Sequence, residues 1–433
     1  MALPGLWITK RKVYHGVTGS AIMVVRTLTP DCYSIAALDF DRRLFDALIP
    51  LPDGTSYNAY LIRGSKKTAL IDTVDPTKEL DLVCDLVRLG VDSIDYIIIN
   101  HAEQDHAGSL PMVLELFPSS KVVTNEKCKD LLMHHFDLDE DRFMVIKDRE
   151  TLSLGNKTLE FIIAPWVHWP ETMLTYLMED RVLFSCDLFG THYATSDLFM
   201  NDEKIIYSAA KRYYAEIVMP FRASIKGHME KIGALGIAFI APSHGPVYNN
   251  PEFILKAYHE WISDSVKNEV VIPYVSMHGS TRKMVDHLTR ALIERGISVK
   301  PFDMTVTDTG NLAMSLVDAA TVVIATPTVL FGPHPQIVYA TYLANLLHPK
   351  VKFASIIGSY GWGGKTTDVL KSMMTHIKPD LLEPVLVRGL PGEECFKRLD
   401  RLAEEIAQKH KDIGLLPALS PGEIISNIPG RFP

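Results

Sequence analysis

Cysteine is scarce and scattered in this 433-residue chain. Cys32, Cys84, Cys128, Cys186 and Cys395 form no C-x-x-C pair, which excludes a thiolate zinc site or a rubredoxin-type iron site. Sparse, unpaired cysteine fits a reducing, cytoplasmic compartment. Long apolar runs are missing too. The most apolar stretch, Ala234 to Pro242, falls short of the roughly 20 residues that cross a bilayer. No signal-peptide pattern opens the chain, because Lys10, Arg11 and Lys12 come before any long apolar run. Nor is there an excess of basic charge. A net charge of −8 leaves no electrostatic footprint for nucleic acid. No internal repeat and no low-complexity segment interrupts the sequence.

What is present is an ordinary soluble composition, 47% hydrophobic and 22% charged, on a chain long enough for two domains. The first half, from about Phe40 to Trp261, mixes strand and helix signals. Asn58 to Asp72 reads as two strands joined by a Gly-Ser-Lys turn, Thr77 to Leu89 as a helix, and Asp95 to Asn100 as a buried strand. Ser109 to Leu116 reads as a helix, and strands are expected at 158–164, 174–178 and 182–185. The second half alternates more simply. Strands at 270–275, 298–302, 321–325, 351–357 and 384–387 are separated by helical stretches, the rhythm of a doubly wound parallel sheet. The expected boundaries are 30–265 for an α/β layered domain, 266–410 for the parallel-sheet domain and 411–433 for a proline-containing tail.

The sharpest local signal is His101-Ala-Glu103-Gln-Asp105-His106, directly after a buried strand. A loop at a strand end can turn several side chains toward one point, whereas a regular strand sends alternate side chains to opposite faces. A polar surface loop is the plain alternative, but a cluster this dense in ligand types points to a site. His168 in Pro165-Trp-Val-His-Trp-Pro170, Asp187 in Ser185-Cys-Asp-Leu-Phe-Gly190 and His244 in Pro242-Ser-His-Gly-Pro246 follow further along. Each alone reads more readily as a hydrogen-bonded core histidine or a strand-end capping aspartate than as a ligand. Together they repeat one placement at strand ends.

In order and context, His101, Glu103, Asp105, His106, His168, Asp187 and His244 resemble the metal-binding pattern of the flavodiiron family. That resemblance implies a metallo-β-lactamase-like αββα sandwich followed by a flavodoxin-like domain. It also implies one iron on His101, Glu103 and His168, a second on Asp105, His106 and His244, and Asp187 bridging the two. Two-metal sites hold their ions about 3.5–4 Å apart. Hydrolases of the same fold show H-x-H-x-D-H, and Glu103 stands in place of the second histidine. Four imidazoles and three carboxylates make a harder, more anionic set that suits iron.

The second half offers three loops at strand ends. Ser276-Met-His-Gly-Ser-Thr281 leads into a helix, and its hydroxyls and backbone N–H groups suit a phosphate, although Ser and Thr also serve as ordinary caps. It is not G-x-G-x-x-G, which disfavours a dinucleotide. Thr326 to Gly332 and Gly358 to Gly364 end the next two strands. By the resemblance the ligand is FMN. Ser276, His278, Gly279, Ser280 and Thr281 would take the phosphate. Thr328, Val329, Leu330, Phe331 and Gly332, with Ser359, Tyr360, Gly361, Trp362, Gly363 and Gly364, would frame the ring. Family members often carry asparagine where this chain has Leu330 and Phe331.

The resemblance implies reduction of O2 to water, or of NO to N2O, at the iron pair with electrons relayed through FMN. It implies a donor such as rubredoxin, a reduced deazaflavin coenzyme or a reductase, and a head-to-tail homodimer or dimer of dimers. His192, Tyr193, Tyr213 and Tyr214 are expected to border the substrate pocket, with Phe45 as a wall, or else simply to pack. His134 and His135 fall on an expected helix and read as surface or core residues rather than ligands. Two other classes stay open: a dizinc hydrolase fused to a flavodoxin, and an electron carrier with an empty metal domain.

Overall fold

Strands at the centre of a layered domain must bury both faces, and Thr55–Arg63 does so along almost its whole length. Side chains alternate across a strand. Tyr57, Ala59 and Leu61 therefore meet Leu82, Val83, Leu86, Leu110 and Val113 from flanking helices. Tyr60 and Ile62, on the other face, meet Phe161, Met173, Val182 and Phe184 of a second sheet. The computed structural model describes residues 23–417, so the charged stretch at 10–12 and the tail from 418 onward lie outside the described residues. The chain divides into two units between Ile262 and Ser263.

In the first unit a seven-stranded sheet runs Met23–Thr29, Cys32–Asp39, Thr55–Arg63, Thr68–Ile71, Tyr96–Ile98, Lys121–Thr124 and Phe143–Val145 in spatial order. A five-stranded sheet, Thr151–Ser153, Thr158–Ile163, Met173–Leu177, Val182–Cys186 and Phe239–Pro242, packs against it. This is the metallo-β-lactamase-like sandwich. The hairpin Met23–Thr29/Cys32–Asp39, ahead of the predicted strands, extends the first sheet at its edge. The helix Glu126–His135 carries His134 and His135 at its end, as expected.

The second unit has parallel strands ordered Ser298–Asp303, Lys267–Tyr274, Ala319–Val329, Phe353–Tyr360, with Asp380–Leu381 and Val385–Arg388 both paired to the last. Numbered along the chain, the order is 2-1-3-4-5, the flavodoxin-like winding. Its predicted strands all form. The helix after the first strand starts at Ser280, inside the hydroxyl-rich loop, because Gly279 takes the left-handed turn into it at φ 87.

Candidate functional site

Each ligand-type residue of the first unit sits where a strand has just ended. After Tyr96–Ile98 the ladder stops because Asp72, not a neighbouring strand, accepts the Asn100 N–H at 2.7 Å and the Asn100 amide at 3.0 Å. The Thr175 hydroxyl donates to the Asn100 side-chain oxygen Oδ1 at 2.7 Å. This fixes the exit direction of His101. Glu103 then stands at the N-cap position of the short helix Gln104–Ala107, its side chain making no capping bond, and the helix carries Asp105 and His106. His168 sits in a tight loop at φ 38. Asp187 follows Cys186, whose φ of 52 coincides with a register shift against Phe239–Pro242, so the bulge re-aims the next side chain. His244 precedes Gly245, where φ is 80 and a Cβ would lie 1.7 Å from Thr191 Oγ1, leaving room for glycine alone.

The seven residues converge. Asp187 Oδ2 lies 3.6 Å from His101 Nε2 and 3.2 Å from His168 Nε2. Asp187 Oδ1 lies 3.1 Å from His106 Nε2 and 3.4 Å from His244 Nε2. Glu103 Oε2 joins the first pair at 3.0 and 3.1 Å, and Asp105 joins the second at 3.5 and 3.1 Å. Two ligand sets thus face the two oxygens of one carboxylate. Both Asp105 oxygens, Asp187 Oδ2 and His106 Nε2 are buried without an aligned hydrogen bond. Such groups cost roughly 1–3 kcal/mol each, more when charged, unless something satisfies them. Cations between the two sets would do so, and N/O donors of this kind fit two iron ions.

Electrostatics agree. Burial opposes protonation of His244, but Asp105 and Asp187 overcome it and raise its imidazole to about 10. Burial likewise opposes His168, yet Asp187 and Glu103 raise it to about 9. Burial pushes the Asp187 and Glu103 carboxyls up, but the surrounding imidazoles hold both well below the usual range. Positive charge is demanded here, and protons supply it where metal does not.

The bordering residues divide. Tyr213 donates to Asp187 Oδ1 at 2.8 Å. His192 packs beside Tyr213, Phe45 and His244 with centroids 4.8, 5.1 and 5.1 Å away, and its Nδ1 meets Thr55 Oγ1 at 2.9 Å. Burial, with His244 adding to it, holds the His192 imidazole well below its usual range. Tyr214 takes the packing alternative: its hydroxyl donates to the Trp261 carbonyl at 3.2 Å and its ring joins Tyr258 and Trp261. Sequence reasoning also passed over two acids. Glu171 Oε1 lies 2.7 Å from His101 Nδ1. Asp46, between Phe45 and Ala47, is raised to about 6 by burial and then by Glu103.

In the second unit an open cavity of about 200 Å³ is lined by Ser276, His278, Ser280, Thr281, Thr328, Ser359, Tyr360 and Gly361, with Met277, Pro327 and Gly389 in addition. A hydroxyl-rich mouth at a helix start, with aromatic Tyr360 beside it, fits a phosphate and a planar ring. Gly279, Val329, Leu330, Phe331, Gly332, Trp362, Gly363 and Gly364 do not line it. Ala319–Val329 turns back into Gly332–Pro333, which leaves Leu330 and Phe331 on an exposed hairpin tip at φ 48 and 67. Phe331 meets Trp362 edge to face at 4.8 Å.

A model described as ODP family beta lactamase matches residues 55–245. Nitric oxide reductase of Moorella thermoacetica is 36% identical over 397 residues, 89% of this chain and 98% of that protein. Rubredoxin oxygen:oxidoreductase from Desulfovibrio gigas superposes with a TM-score of 0.86 at 30% identity, covering 90% of this chain and 99% of that one. The flavodiiron protein of Giardia intestinalis superposes with a TM-score of 0.85 at 26% identity, covering 90% and 97%. With this coverage across both halves, the chain belongs to the flavodiiron family.

Proposed function

We propose that this protein is an oxidoreductase that reduces O2 to water with electrons relayed through FMN. The observation that carries the reading is the pair of ligand sets facing the two oxygens of Asp187. His101, Glu103 and His168 would hold one iron, Asp105, His106 and His244 the other, and Asp187 both. When bound, the iron pair and the flavin together supply the four electrons that O2 reduction to water consumes. Tyr213 orients the shared carboxylate through its hydrogen bond. Phe45 and His192 wall the space beside His244 and limit water there. Ser276, Ser280 and Thr281 would receive the FMN phosphate, and Thr328, Ser359 and Tyr360 the ring side.

A second reading, reduction of NO to N2O, is favoured by the name of the Moorella relative, a nitric oxide reductase. The same residues serve it. A dizinc hydrolase is disfavoured by Glu103, which adds a carboxylate to the set. Rubredoxin, named in the Desulfovibrio protein, is the donor to test first. We place the protein in the cytoplasm as a homodimer. All five cysteines are free and buried, and no helix among the described residues is long and apolar enough to cross a membrane.

The test is anaerobic preparation, iron and FMN analysis, then turnover with O2 and with NO using several donors. Two irons per chain and donor-dependent O2 consumption are expected. An Asp187→Asn variant should keep its FMN and lose turnover by orders of magnitude, because the two-metal geometry depends on that carboxylate. Full activity with zinc and no iron would sink the reading.

A further inference from the structure

Among the described residues outside the seven, the buried carboxylate of Glu171 hydrogen-bonds one of them directly. Glu171 has a fully buried side chain, and its Oε1 lies 2.7 Å from His101 Nδ1. That nitrogen is across the ring from Nε2, the atom that faces Glu103 and Asp187. Glu171 is therefore outside the metal-facing set. It is also well fixed. The Ala102 N–H donates to Oε1 at 3.1 Å, and the Asn125 amide holds the Glu171 carbonyl. The other histidines have weaker support. His244 Nδ1 donates to a neutral acceptor, the Ser56 carbonyl, at 2.8 Å. His106 Nδ1 has the Cys186 sulfur at 3.7 Å. Asp72 groups with His106 and Cys186, its oxygens accepting from the Asn100 N–H and amide. The bridge is uneven in the same sense. Tyr213 donates to Asp187 Oδ1, on the His106–His244 side, and draws electron density from it.

We propose that Glu171 is a positioning residue for the metal centre: it fixes His101 with Nε2 toward the metal, strengthens that ligand, and makes the His101–Glu103–His168 half bind metal more tightly than the Asp105–His106–His244 half. The inference rests on the dinuclear reading above. A carboxylate accepting the far N–H of a ligating imidazole locks its tautomer and raises its basicity, and losing such a partner lowers metal affinity by roughly 10- to 100-fold. The loss should fall on one half only, because among the described residues the Nδ1 atoms of His244 and His106 meet the Ser56 carbonyl and the Cys186 sulfur rather than a carboxylate at hydrogen-bond distance.

The experiment titrates the full chain, stripped of metal, with ferrous iron under anaerobic conditions. Mössbauer spectra are recorded at one and at two iron per chain. The native protein should fill one half first, giving one dominant signal at the first equivalent. Glu171→Gln keeps the size and an acceptor oxygen but removes the charge. It should weaken the tighter step by roughly 10- to 100-fold, leave the weaker step unchanged, and mix the two signals at the first equivalent. Glu171→Asp keeps the charge and should recover part of the difference, which separates a tuning role from a merely structural one. FMN content reports on folding in every variant. If Glu171→Gln leaves both steps unchanged, or weakens both equally, the proposal is overturned. Failure of the native chain to bind two iron would overturn the dinuclear reading itself, and this inference with it.

Discussion

Tyr213 and Asp187 are both buried, and the tyrosine hydroxyl donates to Asp187 Oδ1 at 2.8 Å. The next residue, Tyr214, donates to a backbone carbonyl instead. A hydrogen bond to a charged group contributes roughly 1.5–3 kcal/mol, and one between neutral groups about 0.5–1.5 kcal/mol. Tyr213→Phe should therefore cost the metal-free protein more stability than Tyr214→Phe, and it alone should slow turnover. Thermal melts of both variants, with turnover on iron-loaded protein, make the comparison. Equal losses in the two would contradict the assignment.

That pair also shows what a sequence can and cannot carry. The seven ligand-type residues were legible because strand ends are visible as apolar runs, and the ligands follow them. The two tyrosines were not separable, since adjacent helical residues point about 100° apart and nothing local says which faces the site. A π-helical turn, Tyr214–Val218, directly after Glu203–Tyr213 shifts the register further. Glu171 carried only a faint signal, an acid three residues after His168 in the same loop. Leu330 and Phe331 enter as ring-framing residues only through the family resemblance; the two-residue hairpin tip puts both in the left-handed region and leaves them exposed, a conformation their side chains do not announce.

Glu103 is the residue that separates this ligand set from a zinc hydrolase pattern. Glu103→His removes one carboxylate between His101 and His168, which it meets at 3.0 and 3.1 Å. The site becomes less anionic and gains an imidazole. Protein expressed with both metals present should then hold more zinc relative to iron than the native chain does, and lose oxygen turnover. Elemental analysis of the two side by side decides. An unchanged metal ratio would show that Glu103 does not set the choice.

Metal-free protein should have a distinct pH dependence. His168 is raised to about 9 and His244 to about 10, each by carboxylates that overcome burial. Unfolded imidazole titrates near 6.5. Folding therefore takes up protons between these values. The stabilisation is complete below about 6.5 and is lost as pH rises through about 9 and about 10. Iron-loaded protein should not follow this curve, because ligation already removes those protons. Denaturant unfolding across that window, with and without iron, reads the difference. Parallel curves for the two forms would refute the coupling.

The final prediction concerns assembly. All seven ligand-type residues precede Ile262, and all the cavity-lining residues follow Ser263, in separate units. Electron relay needs a flavin close to irons, and the expected head-to-tail dimer would achieve this by setting one chain's flavin crevice beside its partner's metal ligands. Such an interface is two-fold and self-complementary. Mixing two inactive proteins tests it. One carries Ser280→Asp and Thr281→Asp, which place negative charge where the phosphate would sit and should abolish FMN binding. The other carries His101→Ala and His168→Ala and should lose iron while keeping FMN. A heterodimer of the two retains one intact flavin–iron pair across the interface, from the flavin of the second chain to the irons of the first. Activity should return in part once subunits exchange. If mass measurement shows efficient exchange and no activity returns, while isolated native monomer turns over normally, the relay lies within one chain and the dimer is not required.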